Sequence, residues 1–365
     1  MTERVLQGVT GQAAQPGAYA IGLRENGVIA DTCSIVEHKF GYRSDIFVET
    51  EGKPLNDVFN ILKKLAENYD IFHFHGRSFI NKWPLQGFPA FQDIIFLKLL
   101  GKKVYFHFPG QEVRLSTVFA DVNPYHYVRE LRDIFIHQPD RIKVLMRDFL
   151  VSICDAVFVL DPEILTYVPG AQIMPRALHE ADWEYSGFNQ NKRPLIVHAP
   201  SSRKIKGTDA FLAAADQLQS EGCRFDVKLI EDVPYSEAVC AYREADIIVD
   251  QLRIGWYGVL AVEAMALGKP TVAYIRDDLW RDHGATLPIV NANPDNVADV
   301  LRVLIKDSSL RMRIGLKSRE YFLAEHTAKK VGAELLEVYR RPFCNPDLSS
   351  LANFLVHQNF ARDKV

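Results

Sequence analysis

Two stretches of this chain carry residues whose types and spacing suit chemistry on a phosphorylated ligand. The first, HAPSSRKIKGTDAF, runs from His198 to Phe211. It reads as a strand entering a Ser/Arg/Lys loop, with a helix beginning near Gly207 and Thr208. Ser201, Ser202, Arg203 and Lys206 therefore cluster where a strand C-terminus meets a helix N-terminus, the edge at which open α/β sheets bind ligands. Two cations and two hydroxyls there would neutralise a diphosphate and stabilise it as a leaving group. A solvated basic loop is the plain alternative. The second stretch, VDQLRIGWYGVLAVEAMALGKP, is a strand ending at Asp250, a loop with Gly255 and Gly258, and a helix stopped by Gly268 and Pro270. Glu263 is the one acid in that apolar helix. A buried, unpaired carboxylate costs several kcal/mol, so a ligand diol or a structural Arg or Lys must answer it. The loop and helix N-terminus also offer backbone N–H groups suited to phosphate.

The elements that must position these residues alternate along the chain. Strand-like runs lie near Val5 and Cys33, at 70–75, 103–108 and 155–161, then at 194–200 and in DVKLIE, DIIVDQ, TVAYI and PIVNA. Helical patterns separate them near 18–26, 54–68, 88–100, 125–150, 207–220, 234–245, 256–267, 294–306 and 308–340. Such alternation means βαβ units and parallel sheets. Two successive series predict an α/β chain of two doubly wound domains, over 1–180 and 190–342. The polar stretch 179–194 is the expected junction. A separate tail over about 343–365, including SLANFLVHQNF, is placed to pack back on the first domain.

At 365 residues, with 48% apolar and 24% charged residues, the chain has an ordinary globular composition. A net charge of −3 gives no general case for nucleic acid. Its five cysteines are scattered, without CxxC or metal-ligand spacing, which fits a reduced cytoplasmic compartment. The N-terminus lacks an apolar signal core, and no run reaches the length of a membrane span. A peripheral contact with the inner face of the membrane stays open. Without HExxH or a Cys/His cluster, neither a metal nor another cofactor is expected.

The second half resembles the donor domain of the retaining GT-B glycosyltransferases of family 4. The matching text is HAPSSRKIKGTDAFLAAADQL, YREADIIVDQ and GWYGVLAVEAMALGKPTVAY, about 80 residues in all. The resemblance implies GT-B architecture, with two Rossmann-like domains whose parallel sheets face across a cleft. It implies that Lys206 holds the donor diphosphate, that Glu263 binds the ribose hydroxyls, and that backbone around Val233 borders the base. Two positions depart from the family. Ser201 stands where an arginine is usual, and Arg203 is the candidate substitute. Gly255 stands where a second acid contacts the sugar, leaving that contact to backbone, Trp256, Tyr257 or the first domain.

The first domain resembles the family less closely. GVTGQAAQPGAYAIGLRENGV (8–28) matches an opening strand, glycine loop and helix, with Gly17 at the helix start. DIFHFHG (70–76) and KKVYFHFPGQEVR (102–114) match later strand ends, with Gly110 and Gln111 in the loop after the second. The family's sugar-contacting histidine position is Pro109 here. His107, two residues earlier and on the same strand face, takes that role as catalytic candidate, ahead of His73 and His75. Glu112 and Arg114 either orient an acceptor or pair with each other. The implied function is transfer of a sugar from a nucleoside-diphosphate sugar to a glycan, lipid-linked or small-molecule acceptor, with retention of configuration. A sugar-nucleotide epimerase and a non-catalytic sugar-nucleotide-binding protein are the alternatives on this scaffold.

Overall fold

Both series of buried runs form parallel sheets in the computed structural model, which describes residues 3–9, 14–37, 44–80, 91–187, 191–343 and 345. The first sheet comprises β1 (Arg4–Val9), β2 (Ile29–Ser34), β3 (Ile46–Phe47), β4 (Ile71–His75), β5 (Lys103–Phe108), β6 (Ala156–Val159) and β7 (Gln172–Ile173). Their spatial order is β3-β2-β1-β4-β5-β6-β7. The second comprises β8 (Leu195–His198), β9 (Asp226–Leu229), β10 (Ile247–Val249), β11 (Thr271–Ala273) and β12 (Ile289–Asn291), in the order β12-β11-β10-β8-β9. The central strands are buried along almost their whole length, as strands covered by helices on both faces must be. In each sheet the strand order reverses once, between β1 and β4 in the first and between β8 and β10 in the second. Those two switch points are where doubly wound sheets open a crevice at their carboxyl edge.

The chain divides into two compact units, and the division differs from the sequence expectation in three places. The first unit takes Met1–Ser116, Phe135–Ala177 and Ala328–Val365, and the second takes Thr117–Ile134 and Leu178–Thr327. The crossing therefore falls at Ala177–Leu178, just ahead of the polar stretch expected to hold it. The helical stretch expected over 125–150 is broken by Pro139 into helices Arg132–His137 and Asp140–Ile153. The return falls earlier than Pro342, between helices Ser308–Glu325 and Ala328–Tyr339. Of the tail, Phe343 and Asn345 are described; the Lys98 ammonium lies 3.8 Å from the centre of the Phe343 ring. SLANFLVHQNF lies outside the described residues. Among the described residues no helix is long and apolar enough to cross a membrane.

The returning helix is seated by close backbone packing. Helix Ala328–Tyr339 packs on helix Gln15–Glu25 through a glycine on each. A Cβ on Gly22 would sit 1.9 Å from the Ala328 carbonyl oxygen, and one on Gly332 would sit 2.3 Å from the Gly22 carbonyl carbon. At the end of the returning helix, Tyr339 is fully buried in the first unit's core. Gly332→Ala must force these backbones apart and should cost about 1–3 kcal/mol of stability. Gly17→Ala, in the same helix as Gly22 but with open space around the new methyl, should leave stability unchanged or raise it by about 0.5–1 kcal/mol. Urea unfolding of the two variants beside the wild type measures the contrast.

Candidate functional site

Residues from three chain segments meet at the switch point of the second sheet. β8 ends at His198, whose ring accounts for both of its nitrogens. Nδ1 donates to the Val249 carbonyl at 2.8 Å, and Nε2 accepts from the Thr208 hydroxyl at 2.8 Å. Burial pushes its pKa down to about 4, against a smaller upward effect of the Val249 backbone, so the ring is neutral. Thr208 begins the long helix Thr208–Ser220, and the short turn Arg203–Lys206 stands between it and β8. This turn aims Lys206 at the end of β10. The Lys206 Nζ lies 3.1 Å from Asp250 Oδ1 and 2.5 Å from Gln251 Oε1.

Asp250 also fixes the glycine loop. Its second oxygen accepts the Gly258 N–H at 2.5 Å, while its side chain is wholly buried. Gly258 caps helix Val259–Leu267, so the Lys206 ammonium and the positive end of that helix lie against the same carboxylate. A methyl at position 258 would sit 2.9 Å from Asp250 Oδ2 and 3.1 Å from Lys206 Nζ, so only glycine fits. The Gly258 N–H expected to be available for phosphate is thus engaged by Asp250. Asp250 was read from sequence only as the end of a strand.

Glu263 lies a turn into the same helix, 4% exposed. Its partner is neither Arg nor Lys: the Tyr235 hydroxyl donates to Oε1 at 2.5 Å. Burial pushes its pKa up to about 8, helped by the nearby Asp250 charge and opposed by the Tyr235 hydrogen bond and Lys206. Val233, two residues before Tyr235, packs against the second unit's core. Arg203 is exposed and forms a two-point ion pair with Glu231, at 2.8 Å and 2.5 Å, which holds Glu231 below the usual carboxylate range. Its charge is thus already matched, in contrast to the expectation of a cation open to phosphate. Ser202 caps the Arg203–Lys206 turn without a side-chain hydrogen bond, and Ser201 is exposed.

The loop before Gly258 differs from expectation in its side chains. Gly255 has φ +105, and its carbonyl accepts the Arg276 N–H at 2.9 Å, so a larger residue there would be strained against Arg276. Trp256 and Tyr257, expected as sugar contacts, are core residues. Trp256 stacks on Tyr257 and meets the edge of His283, and the Tyr257 hydroxyl bonds His326 Nε2 at 3.0 Å. Only their backbone faces the loop. The loop has another support that sequence reading missed. Asn123, from the segment Thr117–Ile134, donates to the carbonyls of Arg253 and Ile254 at 2.8 Å and 3.0 Å. Arg253 returns the contact to the Tyr125 and His126 carbonyls and to Glu130. No local motif announces Asn123; only its place in the second unit does.

The first-unit candidates lie at the carboxyl edge of the other sheet, but His107 does not reach a surface. It is 1% exposed, packed among Tyr19, His73, His75 and Phe158. Burial, His75 and Arg176 hold it well below the ordinary histidine pKa, with the Val159 backbone opposing. A ring so enclosed offers no edge to a sugar. His73 and His75 are equally buried. Gly17 is partly exposed with open space around it. A Cβ on Gly110, at φ +144, would sit 3.4 Å from the Arg114 guanidinium, and the Gln111 carbonyl accepts from Lys143 Nζ at 2.8 Å. Arg114 pairs with Glu163 at 3.0 Å and 2.5 Å, and its charge also acts on Glu112. Burial raises the Glu112 pKa to about 7. Elsewhere in this unit a cavity of about 670 Å³ opens after β2 and β4, lined by Ile35, Val36, Glu51, Lys53, Arg77 and Phe79.

No family model matches the chain. Two curated relatives are D-inositol 3-phosphate glycosyltransferases. The one from Corynebacterium glutamicum is 28% identical over 163 residues, covering 44% of this chain and 38% of the relative. The one from Nocardia farcinica is 30% identical over 153 residues, 40% and 32% of the two chains. The match thus spans about a third of each curated relative. Among solved structures, a glycosyltransferase from Rickettsia africae superposes with a TM-score of 0.60 at 13% identity, covering 93% of this chain and 98% of its own. HepE from Anabaena, solved with UDP and glucose, gives 0.55 at 9% identity over 94% and 100%. A Listeria monocytogenes protein assigned as a UDP-N-acetylglucosamine 2-epimerase gives 0.54 at 12% identity over 95% and 99%. With two parallel-sheet units in sequence, the chain has the GT-B fold and resembles the family 4 glycosyltransferases.

Proposed function

We propose that this chain is a glycosyltransferase whose second unit holds a nucleoside-diphosphate sugar and whose reaction retains anomeric configuration. The observation that carries the reading is the contact of Lys206, Asp250 and the Gly258 helix cap at the switch point of the second sheet, with Glu263 a turn deeper. Lys206 and the Gly258 helix cap both converge on Asp250, so a diphosphate arriving there takes over part of the hold on the ammonium and on the helix N-terminus. Glu263 is then the partner of the ribose diol. As the bond between the anomeric carbon and the diphosphate oxygen breaks, negative charge grows on the leaving oxygen and Lys206 meets it. The acceptor hydroxyl attacks the same face of the oxocarbenium-like sugar and passes its proton to the departing diphosphate oxygen. HepE, solved with UDP and glucose, supports a donor of this class. We assign the acceptor to the first unit's 670 Å³ cavity, whose largely apolar wall, edged by Arg77, Lys53 and Glu51, suits an amphipathic acceptor with a polar head. Arg203 becomes a second phosphate ligand only by exchanging Glu231 for the diphosphate.

The epimerase neighbour supports a second reading, interconversion of a free sugar nucleotide. Incubating the protein with UDP-, GDP-, ADP- and TDP-sugars, with and without acceptor extracts, tests both. Acceptor-dependent release of nucleoside diphosphate supports transfer. A new sugar nucleotide formed without acceptor supports epimerisation. Neither product, together with no thermal stabilisation by any donor, rejects the reading; a bound donor at a hundredfold excess over its Kd should stabilise by about 2.7 kcal/mol.

Lys206 has a structural and a chemical role that two variants separate. Lys206→Ala leaves Asp250 buried without its cation and should cost about 3–5 kcal/mol of stability as well as activity. Asp250→Asn combined with Lys206→Met removes both charges and should recover most of that stability. Its turnover should remain about 100- to 1000-fold down, the loss expected for one donor to a leaving group. Denaturant unfolding beside kcat measurement shows whether the two losses part.

Glu263 ties stability to pH. Its folded pKa of about 8 lies above its ordinary value, so the folded chain binds the extra proton. Its contribution is fully present below the unfolded carboxyl pKa and is lost as pH rises through about 8. Thermal unfolding of the unliganded protein from pH 5 to 9 should show a falling component that Glu263→Gln removes. The same variant should weaken nucleoside-diphosphate binding in titration calorimetry, whereas a purely structural glutamate would leave that affinity unchanged.

A further inference from the structure

Three imidazoles meet inside the first unit, at the switch point of its sheet. His73 and His75 alternate along β4 and so share one face, and His75 stands in register with His107 on β5. The ring centroids are 4.5–5.7 Å apart, and one ligating nitrogen from each lies within 4.8 Å of the others. All three side chains are at most 2% exposed. Nε2 of His73 lacks a hydrogen-bond partner, and the ring nitrogens of His107 have at most a loose contact with the Val159 backbone. Buried polar atoms are seldom left so, and each calls for an explanation.

We propose that His73, His75 and His107 bind one transition-metal ion of the imidazole-preferring class, zinc or copper. Three atoms no more than 4.8 Å apart all lie within about 2.8 Å of a common point. The rings lie nearly parallel, 8–21° apart, so closing to the ~2.0–2.1 Å of a zinc–imidazole bond turns them out of that stack until one nitrogen of each faces the ion. The proposed set contains no carboxylate or thiolate. Nitrogen donors alone disfavour calcium and magnesium, which take oxygen ligands, and suit zinc and copper.

The surroundings hold the rings as outer partners of a metal site do. The Tyr339 hydroxyl lies 2.6 Å from His73 Nδ1, and the Gln7 side-chain oxygen lies 2.8 Å from His75 Nε2. Gln7 also donates to Tyr339 at 2.9 Å. Each contact occupies one nitrogen and orients the ring through it. Bound there, the ion would link β4 to β5 and, through His73, to the end of the returning helix. Its role would be to fasten the first unit, and it takes no part in the chemistry proposed for Lys206.

Because the rings are buried, the ion enters as the unit folds. The full chain is therefore expressed, or refolded after chelator treatment, with zinc, cobalt or copper in turn, and cleared of loose metal by gel filtration. Elemental analysis should find about one ion per chain, and X-ray absorption should show three nitrogen neighbours at ~2.0–2.1 Å for zinc. His107→Gln should lower retained metal at least tenfold, and Tyr339→Phe should weaken it about 10- to 100-fold. His179→Gln, which alters a histidine paired with Asp182 in the second unit, should retain it. Less than about a tenth of an equivalent of every metal in the wild type overturns the proposal. So does a spectrum of oxygen or sulfur neighbours, or full retention by folded His107→Gln. Should that variant fail to fold, the wild-type spectrum decides.

Discussion

Asp250 is a fully buried carboxylate at the end of a central strand, and the second unit is arranged around satisfying it. A charge in that position is tolerated only when paired and hydrogen-bonded. Lys206 supplies the pairing and the Gly258 N–H supplies the hydrogen bond. Those two partners fix the rest. The Lys206 turn must approach from the end of β8, and Gly258 can carry no side chain. The helix behind it must begin at that point. One acid thus gathers a cation and a helix N-terminus that would otherwise repel each other.

The loop from 253 to 258 is held on every side by its backbone. Asn123 takes the carbonyls of Arg253 and Ile254, Arg276 takes that of Gly255, and Gln251 takes that of Trp256. Trp256 and Tyr257 anchor it by burying their rings in the core. A loop fixed this way presents its backbone dipoles without rearrangement, the condition under which such dipoles act most strongly on developing charge.

Much of this was legible in the sequence because it is local. The apolar runs of β4, β5 and β10 reveal buried strands. Gly268 and Pro270 mark a helix end, and one acid in AVEAMAL marks Glu263 as unusual. What was not legible depends on partners distant in the chain. Tyr235 as the partner of Glu263, Glu231 as the partner of Arg203, and Asn123 as a brace for a loop 130 residues later arise only on folding. His107 shows the limit most plainly. IFHFHG and YFHFPG both read as strand ends, but alternation alone cannot tell a histidine at an open edge from one sealed beneath Tyr19 and Phe158.

The returning helix has a bearing on how the chain is made. Gln7 and Tyr339 are 332 positions apart and hydrogen-bonded to each other in the core of the first unit. A ribosome that has released β1 must translate nearly all of the remaining chain before that core can close. Leu178–Thr327, by contrast, is complete within one continuous stretch apart from the short segment Thr117–Ile134. The unit that begins first is therefore finished last. During synthesis its uncovered helix face waits on the nascent chain, the condition under which aggregation competes with folding.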